Sequence, residues 1–284
     1  MAKFVHLHVH SEFSLLDGLG KLDLLIARAK ELGMDSLAVT DHGAMYGSFK
    51  FYLKAKAAGI KPILGVETYV ARRSRLDKEG KIDTDPYHLV LLAENEEGYR
   101  NMMKLVTHAH LDGYYYKPRI DWDLLTKHHE GIICLSACLA GQVPQLLMQD
   151  KIREAEEVAA KYAELFGPDH YYIELQKHPH IPEIERTNEK LVALARKLGL
   201  PLVATNDVHY VNADDAEAQE ILLCVQTQRT IIEKNRPLSM MESPDFYLRS
   251  QEEMIELFAQ YPEAIENTVK IAERCNLTLS VGKW

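Results

Sequence analysis

The sequence predicts an α/β fold: a barrel of seven strands followed by a mainly helical extension. Short apolar, β-branched runs alternate with amphipathic segments in a regular strand–helix rhythm. Histidines and carboxylates gather at or just past the ends of those runs, and strand ends on one face of an α/β barrel are where functional side chains converge. At 284 residues the chain is long enough for one such barrel with an addition. A doubly wound open sheet is the other arrangement this rhythm allows.

The first strand is Phe4–His10. A helix follows over Lys21–Gly33, where Leu22, Leu25, Ile26, Ala29 and Leu32 keep helical spacing and Gly33 is the stop. Ser36–Thr40 is a strand, and a helix over Ser48–Ala58 ends at Gly59. Pro62–Ala71 is the third strand, the charged stretch Arg72–Pro86 a loop, and Tyr87–Ala93 the fourth strand before a helix at Glu96–His108. Asp121–His128 is a short helix, Gly131–Cys138 a strand, and Lys151–Phe166 a helix. His170–Gln176 is a strand, Ile184–Leu198 a helix, and Leu202–Asp207 the seventh strand. Strands separated by helices imply right-handed crossovers and a parallel sheet. Residues 1–212 make up this barrel. In the extension, 213–284, helices are expected at Ala216–Gln226, Gln251–Phe258 and Pro262–Arg274, with turn-rich Thr227–Phe246 between them and the tail LSVGKW leading toward a further domain.

Hydrophobic residues are 46% and charged residues 26%, the balance of a soluble globular protein. The net charge of −9 counts against a dedicated nucleic-acid-gripping module, which is normally basic. Cys134, Cys138, Cys224 and Cys275 form no CxxC pair and no disulfide framework. The opening MAKFVHLHVHS is neither a signal nor a transit peptide, and no apolar stretch is long enough for a bilayer. A cytoplasmic location without a membrane partner is expected. There is no Ser-His-Asp arrangement, P-loop or dinucleotide fingerprint, and LSACLAG lacks the nucleophile elbow.

The chemistry-bearing residues are His8 and His10 in VHLHVHS, Asp41 and His42 ending SLAVTDH, Glu67 after PILGV, and Asp207 and His209 ending LVATNDVH. Nitrogen and oxygen ligands in this number suit several divalent cations. A lone histidine is most often a hydrogen-bonded core or surface residue, but H-x-H, D-H and D-x-H together, each after an apolar run, outweigh that reading. Alternation in a strand points His6, His8 and His10 the same way, so periodicity leaves open which two bind. Glu67 needs either a metal or a basic partner in its apolar strand. The aromatic–basic stretch GYYYKPRIDW (113–122) is either a base-stacking surface or a packed tyrosine loop, and Arg72, Arg73, Arg75 and Lys78 are either phosphate contacts or solvated. His178 and His180 are expected in a solvated loop.

His8-x-His10-Ser11, Asp17, Asp41-His42, Glu67 and Asp207-x-His209 together resemble the polymerase and histidinol phosphatase (PHP) family of metal-dependent phosphoesterases. HLHVHSEFSLLDG, LAVTDHGAMYGSFKFY, GIKPILGVETYVA, LVATNDVHY and the tail FYLRSQEEM…NTVKIAERC resemble the amino-terminal part of bacterial DNA polymerase III α subunits, over essentially the whole chain. The resemblance implies a distorted (β/α)7 barrel with three divalent metal ions, zinc first and manganese or iron as alternatives. The implied ligands are His8, His10, Asp17, His42, Glu67, His88, Cys138, Asp207 and His209. Aspartate and cysteine at 17 and 138, where small phosphoesterases of the family often carry histidine, match the polymerase branch, and thiolate is a good zinc ligand. The resemblance further implies phosphodiester hydrolysis by metal-activated water. Asp17 and Asp207 would serve as bridging ligands or proton carriers, and His10 and His209 as assistants to the leaving oxygen. The substrate would be a DNA primer 3′ end, the activity a 3′–5′ proofreading exonuclease, and the partner the remainder of the polymerase subunit. Polymerase carboxylates are not identifiable here, so the chain alone is not expected to synthesise DNA. The alternative is a structural module that braces the polymerase and docks a separate proofreading subunit. A free-standing small-molecule phosphatase fits less well with the polymerase-like tail.

Overall fold

The computed structural model describes residues 3–234, 236–280 and 282. Val281, Lys283 and Trp284 of the LSVGKW tail lie outside the described residues. The strands are β1 (Ser36–Val39), β2 (Lys61–Val70), β3 (Tyr87–Ala93), β4 (Arg119–Ile120), β5 (Ile132–Leu135), β6 (Tyr171–Gln176) and β7 (Leu202–Thr205). The helices are α1 (Leu22–Glu31), α2 (Ser48–Ala58), α3 (Glu96–Leu111), α4 (Trp122–Lys127), α5 (Gln142–Met148), α6 (Ile152–Phe166), α7 (Pro182–Leu198), α8 (Ala216–Thr227), α9 (Gln251–Leu257) and α10 (Pro262–Arg274). The strands form a curled mixed sheet in the order β1-β2-β3-β5-β6-β7, with β4 beside β2.

Two expectations need correction. The sheet is not all parallel, because β3 runs antiparallel to both β2 and β5. The cause is legible in the chain: β2 and β3 are joined by the charged loop 71–86, without the crossover helix that a parallel return requires. Nor is Phe4–His10 a regular strand. It is an extended segment that fills the gap between β7 and β1 through a few bonds, His10 N to Val208 O (2.7 Å), Val208 N to His8 O (3.1 Å), Ala38 N to His6 O (3.0 Å) and Thr40 N to Val9 O (2.8 Å). A bend at His8 breaks the alternation. Leu7 therefore joins the interior apolar cluster with Ala38, Ile63, Val90 and Val203, while His8 and His10 still turn inward. Sequence reading also missed two short elements, β4 and α5.

The barrel interior is apolar at one end and polar at the other. Ala38, Ile63, Leu92, Ile133 and Val203 fill the apolar end, and Ile271 and Ala272 of α10, with Cys275 just after it, close it. Asn267 of α10 donates to Leu202 O (2.7 Å), and Val5 N donates to the Thr268 hydroxyl (3.1 Å), so α10 is tied to both β7 and the opening segment. Thr40, Glu67, Glu174 and Thr205 lie at the polar end, all buried. The outer face packs in a larger cluster with α3, α5, α6 and α7. Among the described residues no helix is long and apolar enough to cross a membrane.

The loop between β2 and β3 is clasped by Arg119, which is fully buried. Its guanidinium donates to Gly113 O (2.9 Å), Asp83 O (3.1 Å), Arg75 O (2.8 Å) and Asp77 O (2.8 Å). Only a planar fork with five donors can serve carbonyls spread this widely. Arg119→Met leaves them buried and unserved, and is expected to lower stability by about 3 kcal/mol. Arg119→Lys should recover less than half of that, as measured by the denaturant midpoint.

Candidate metal centre

Each candidate ligand reaches the polar end of the barrel from a different element. His8 and His10 come from the opening segment, and His42 follows β1. Glu67 lies on β2. Cys138 lies just after β5, and Asp207 and His209 just after β7. His88 begins its strand rather than ending it. Because β3 is antiparallel, its first residue lies at the end where the parallel strands finish. Tyr69 pairs directly with His88, so Glu67, Tyr69 and His88 share the inner face. Asp17 comes from the turn 11–18, where Asp17 N and Gly18 N both bond Ser14 O (3.0 and 2.8 Å). A Cβ on Gly18 would lie 2.1 Å from Ser11 O, so only glycine lets this turn press against the histidine segment. Gln219 of α8 donates to the Asp17 carbonyl.

All nine positions come together. His8 Nε2 lies 3.2 Å from Asp207 Oδ1 and 3.4 Å from Glu67 Oε1. His10 Nε2 lies 3.1 Å from Asp207 Oδ1 and 3.6 Å from Glu67 Oε2. His42 meets Asp17 through Nε2 (2.9 Å) and Glu67 through Nδ1 (2.6 Å), and His88 Nδ1 is 2.9 Å from Glu67 Oε1. His209 Nε2 lies 3.8 Å from Asp17 Oδ1, and Cys138 Sγ lies 3.8 Å from His88 Nδ1 and 3.9 Å from Glu67 Oε1. Among the described residues three overlapping groups could hold metal ions: His8, His10 and Asp207; His10, His42 and His209; His42, Glu67 and His88.

The orphaned atoms test whether cations fit. His8 Nε2, His10 Nε2, His42 Nδ1, Asp17 Oδ1, Glu67 Oε2 and Asp207 Oδ1 are buried with no hydrogen-bond partner. They face one another at close range without hydrogen-bond geometry, which is costly for buried polar groups unless something between them accepts their lone pairs. A cation about 2.1 Å from each ligand holds its ligand atoms roughly 3–3.5 Å apart, the spacing seen for the His8, His10 and Asp207 atoms. The donor set fits.

The atoms turned away from the centre are fixed. His8 Nδ1 meets Glu174 Oε1 (2.8 Å), which also accepts from Thr205 Oγ1 (2.5 Å) and Gln176 Nε2 (2.9 Å). His10 Nδ1 meets the Ser14 hydroxyl (3.0 Å). That hydroxyl donates to Asp41 Oδ1 (2.8 Å), and Asp41 also accepts from Ser11 N and Oγ (2.6 and 2.9 Å). His209 Nδ1 donates to the Asp207 carbonyl (2.7 Å). With Nδ1 engaged in all three, Nε2 carries the lone pair that faces inward, the arrangement typical of metal-ligating histidines. Asp41, which the sequence marks as one of the clustered carboxylates, is thus a support and not a ligand. Glu174, Thr205 and Ser14 carried no spacing signal as supports.

The side chains alone set the electrostatics. Burial disfavours charge on His8, but Asp207, Glu174 and Glu67 outweigh it and hold its pKa well above the imidazole norm. Burial, reinforced by His42 and His209, pushes His10 down to about 3. Burial also opposes ionisation of Glu67, Asp17 and Asp207, yet the surrounding imidazoles keep all three below the usual carboxylate range. Burial, with Glu67 and Asp207, raises the Cys138 thiol well above its norm, so it would need a cation to become thiolate.

The centre opens into a cavity of about 450 Å³ lined by Asp17, His42, Glu67, His88, Asp207 and His209, with Lys117 and Thr84–Pro86 at one wall and Gln226, Thr227, Leu238 and Met240 at another. His8 and His10 lie beneath it. A family model described as the PHP domain matches residues 6–178. The chain belongs to the PHP domain family. The chain is 52% identical over 277 residues to the DNA polymerase III subunit alpha of Treponema pallidum (strain Nichols), covering 97% of this chain and 23% of that protein. The subunit alpha of Borreliella burgdorferi is 48% identical over 276 residues (97% and 24%), and that of Thermus aquaticus 44% over 290 residues (99% and 23%). The chain thus spans about a quarter of the length of the curated relatives it matches. Solved structures that resemble it include a histidinol phosphate phosphatase from Lactococcus lactis subsp. lactis complexed with zinc, L-histidinol and phosphate (13% identity, TM-score 0.44, 78% of this chain and 92% of that one).

Other sequence expectations fare differently. Arg72, Arg73 and Arg75 are occupied by Asp85 (2.5 Å), Asp83 (2.7 Å) and Asp121 (2.8 Å), and hold the loop rather than a phosphate. His178 is buried and stacks on Phe246 at 3.9 Å, not solvated as expected. His6 is fixed to Arg249 O through Nε2 (2.9 Å), which leaves His8 and His10 as the pair at the centre. Glu174→Gln removes the carboxylate behind His8 and is expected to weaken zinc binding about 10–100-fold in competition with a chromogenic chelator. Unchanged affinity would rule out this support role.

Proposed function

We propose that this chain is a metal-dependent phosphodiesterase that acts on the 3′ end of a DNA strand as a 3′–5′ proofreading exonuclease. Residues 1–212 would form the catalytic barrel, and 213–284 an extension toward the polymerase core of a longer α subunit. The observation that carries this reading is the set of six buried, unpartnered ligand atoms, four of them on residues that line an open cavity. The names of the relatives support the DNA context.

In this reading His8, His10, Asp17, His42, Glu67, His88, Cys138, Asp207 and His209 hold three divalent ions between them. Zinc suits the mixed nitrogen, oxygen and sulfur donors, with manganese or iron as other occupants. When bound, such ions lower the pKa of water and neutralise charge on the attacked phosphate. The protein's own residues do the rest. Glu174 and Ser14 fix the tautomers of His8 and His10. His10 lies beneath the cavity and acts as ligand only, while Asp17, Asp207 and His209 line it. His209 Nδ1 is committed to a carbonyl, so Nε2 faces the centre as a ligand; only where no ion engages it can that nitrogen pass a proton to the leaving 3′-oxygen. Asp17 Oδ1 lies 3.8 Å from that nitrogen.

Protein purified without chelators or a histidine tag should contain about two to three transition-metal ions per chain, roughly one for each cluster of ligands. His8→Ala should lose them together. A chelator should slow cleavage of single-stranded DNA and mismatched primer at least about 100-fold, while histidinol phosphate should remain a poor substrate. Less than one ion per chain after zinc or manganese is added back, or hydrolysis indifferent to chelation, overturns the reading in favour of a bracing and docking module.

A further inference from the structure

The turn Gly113–Lys117 is built rigidly and presents its aromatic rings outward. A Cβ on Gly113 would lie 2.0 Å from Arg119 O, so the backbone is closely packed there. Arg119 donates to Gly113 O beneath it, and its guanidinium also lies at 5.4 Å from the Tyr115 ring centroid. Tyr115 N closes the turn on Lys117 O (3.1 Å). Tyr116 is held at φ +60°, a left-handed conformation that a bulky residue adopts only under constraint. The result is that Tyr115 packs inward while Tyr114 and Tyr116 are 52% and 68% exposed. Tyr46, 59% exposed, continues the surface through His110, with ring centroids 6.2 and 6.4 Å apart along Tyr46–His110–Tyr114. His110 is pinned by its Nε2 to Gly43 O (3.0 Å), next to His42.

The surface leads into the cavity. Lys117 is the one lysine or arginine lining it among the described residues, and its ammonium makes no ion pair or hydrogen bond there. It lies over the Tyr69 ring at 5.2 Å. Tyr69 in turn stacks on His42 at 5.9 Å and 16°. A chain of net charge −9 therefore keeps one uncommitted cation beside its most acidic pocket, next to a row of rigid exposed rings. Isolated exposed tyrosines need no explanation. Three of them on a strained, anchored turn and its neighbour, adjoining an unpaired lysine, match the combination by which proteins hold unpaired bases and their backbone.

We propose that Tyr46, Tyr114 and Tyr116 form a stacking platform for the bases of single-stranded nucleic acid, and that Lys117 holds a backbone phosphate at the mouth of the metal cavity. That the strand is then cut rests on the phosphodiesterase reading; the binding does not. The test is fluorescence anisotropy with a short fluorescein-labelled oligothymidylate, alongside hydrolysis of bis(p-nitrophenyl) phosphate, which has no bases to stack. Tyr114→Leu with Tyr116→Asn removes both rings, and asparagine tolerates the left-handed turn. This variant should weaken oligonucleotide binding by about tenfold or more and leave hydrolysis of the small diester unchanged. Phenylalanine at both positions should bind like the native chain. Lys117→Gln should flatten the salt dependence of binding by about 0.7 in log–log slope. Native affinity in the Leu/Asn variant, or an equal loss of small-diester hydrolysis, overturns the platform. If the native chain fails to cut the small diester while the ring variants still lose binding, the platform stands and the phosphodiesterase reading falls.

Discussion

The structure depends on the burial of one carboxylate. Glu67 is 1% exposed, in the middle of the longest strand, and has His8, His10, His42 and His88 around it at 2.6–3.6 Å. An ionised carboxylate in such a place is tolerated only when positive charge surrounds it. The imidazoles around it bring unpartnered nitrogens of their own, at His8, His10 and His42. Protons alone cannot resolve the cluster, because burial and like-charge neighbours push His10 toward its neutral form while its acidic neighbours push His8 toward its charged form. Divalent cations would resolve both problems together, since they accept the lone pairs and compensate the carboxylates.

The distortions of the barrel follow from this requirement. A regular parallel barrel offers only the ends of its strands at the functional face. Reversing β3 adds the beginning of a strand, His88, and sets it across from Tyr69 and diagonal to Glu67. Bending the opening segment at His8 lets two successive histidines of the same run face inward while Leu7 still packs into the apolar interior. The segment loses ladder hydrogen bonds by bending, and α10 supplies replacements from outside through the Thr268 hydroxyl. The extension is therefore part of what keeps the first histidines in place.

Much of this was legible in the sequence, for stated reasons. Strand–helix alternation gives the barrel because burial follows period, and it found the interiors of most elements. The ligands after β1 and β7 were legible because aspartate–histidine groups rarely follow apolar runs by chance. Cys138 and His88 were not, since a small buried thiol and a histidine at a strand start each have ordinary explanations. Their inclusion rested on family resemblance, and the geometry now sets both within 4 Å of the Glu67 carboxylate or of each other. The supports were illegible for a different reason. Glu174 supports a histidine 166 residues away, a pairing fixed by how the strands are arranged around the barrel, and Ser14, four residues from His10, is an ordinary turn serine until its hydroxyl is seen to bridge His10 and Asp41. The missing crossover helix between β2 and β3 was visible as a charged loop, but parallel pairing was assumed across it.

Part of the backbone strain lies in the same place, while Tyr116, Asp150, Asp169 and Gln228 carry positive φ elsewhere. Leu16, Ala137 and Asp207 all have positive φ, at +63°, +65° and +48°, and each either adjoins or is a candidate ligand. For leucine and alanine this conformation costs about 1–2 kcal/mol, and aspartate tolerates it better. Such strain persists only where the surroundings over-determine the chain. Around Leu16 they do: Asp17 N and Gly18 N are both tied to Ser14 O, and Leu19 N to His209 O. Around Ala137, Ser136 N is held by Tyr172 O and Gly141 N by Cys138 O. Relaxing either turn would swing Asp17 away from His42 or Cys138 away from Glu67, so the strain is the cost of bringing ligands from separate loops to one point. A scaffold whose only task was to brace a neighbour would have no use for that cost, whereas a centre that must hold several cations at fixed separations does.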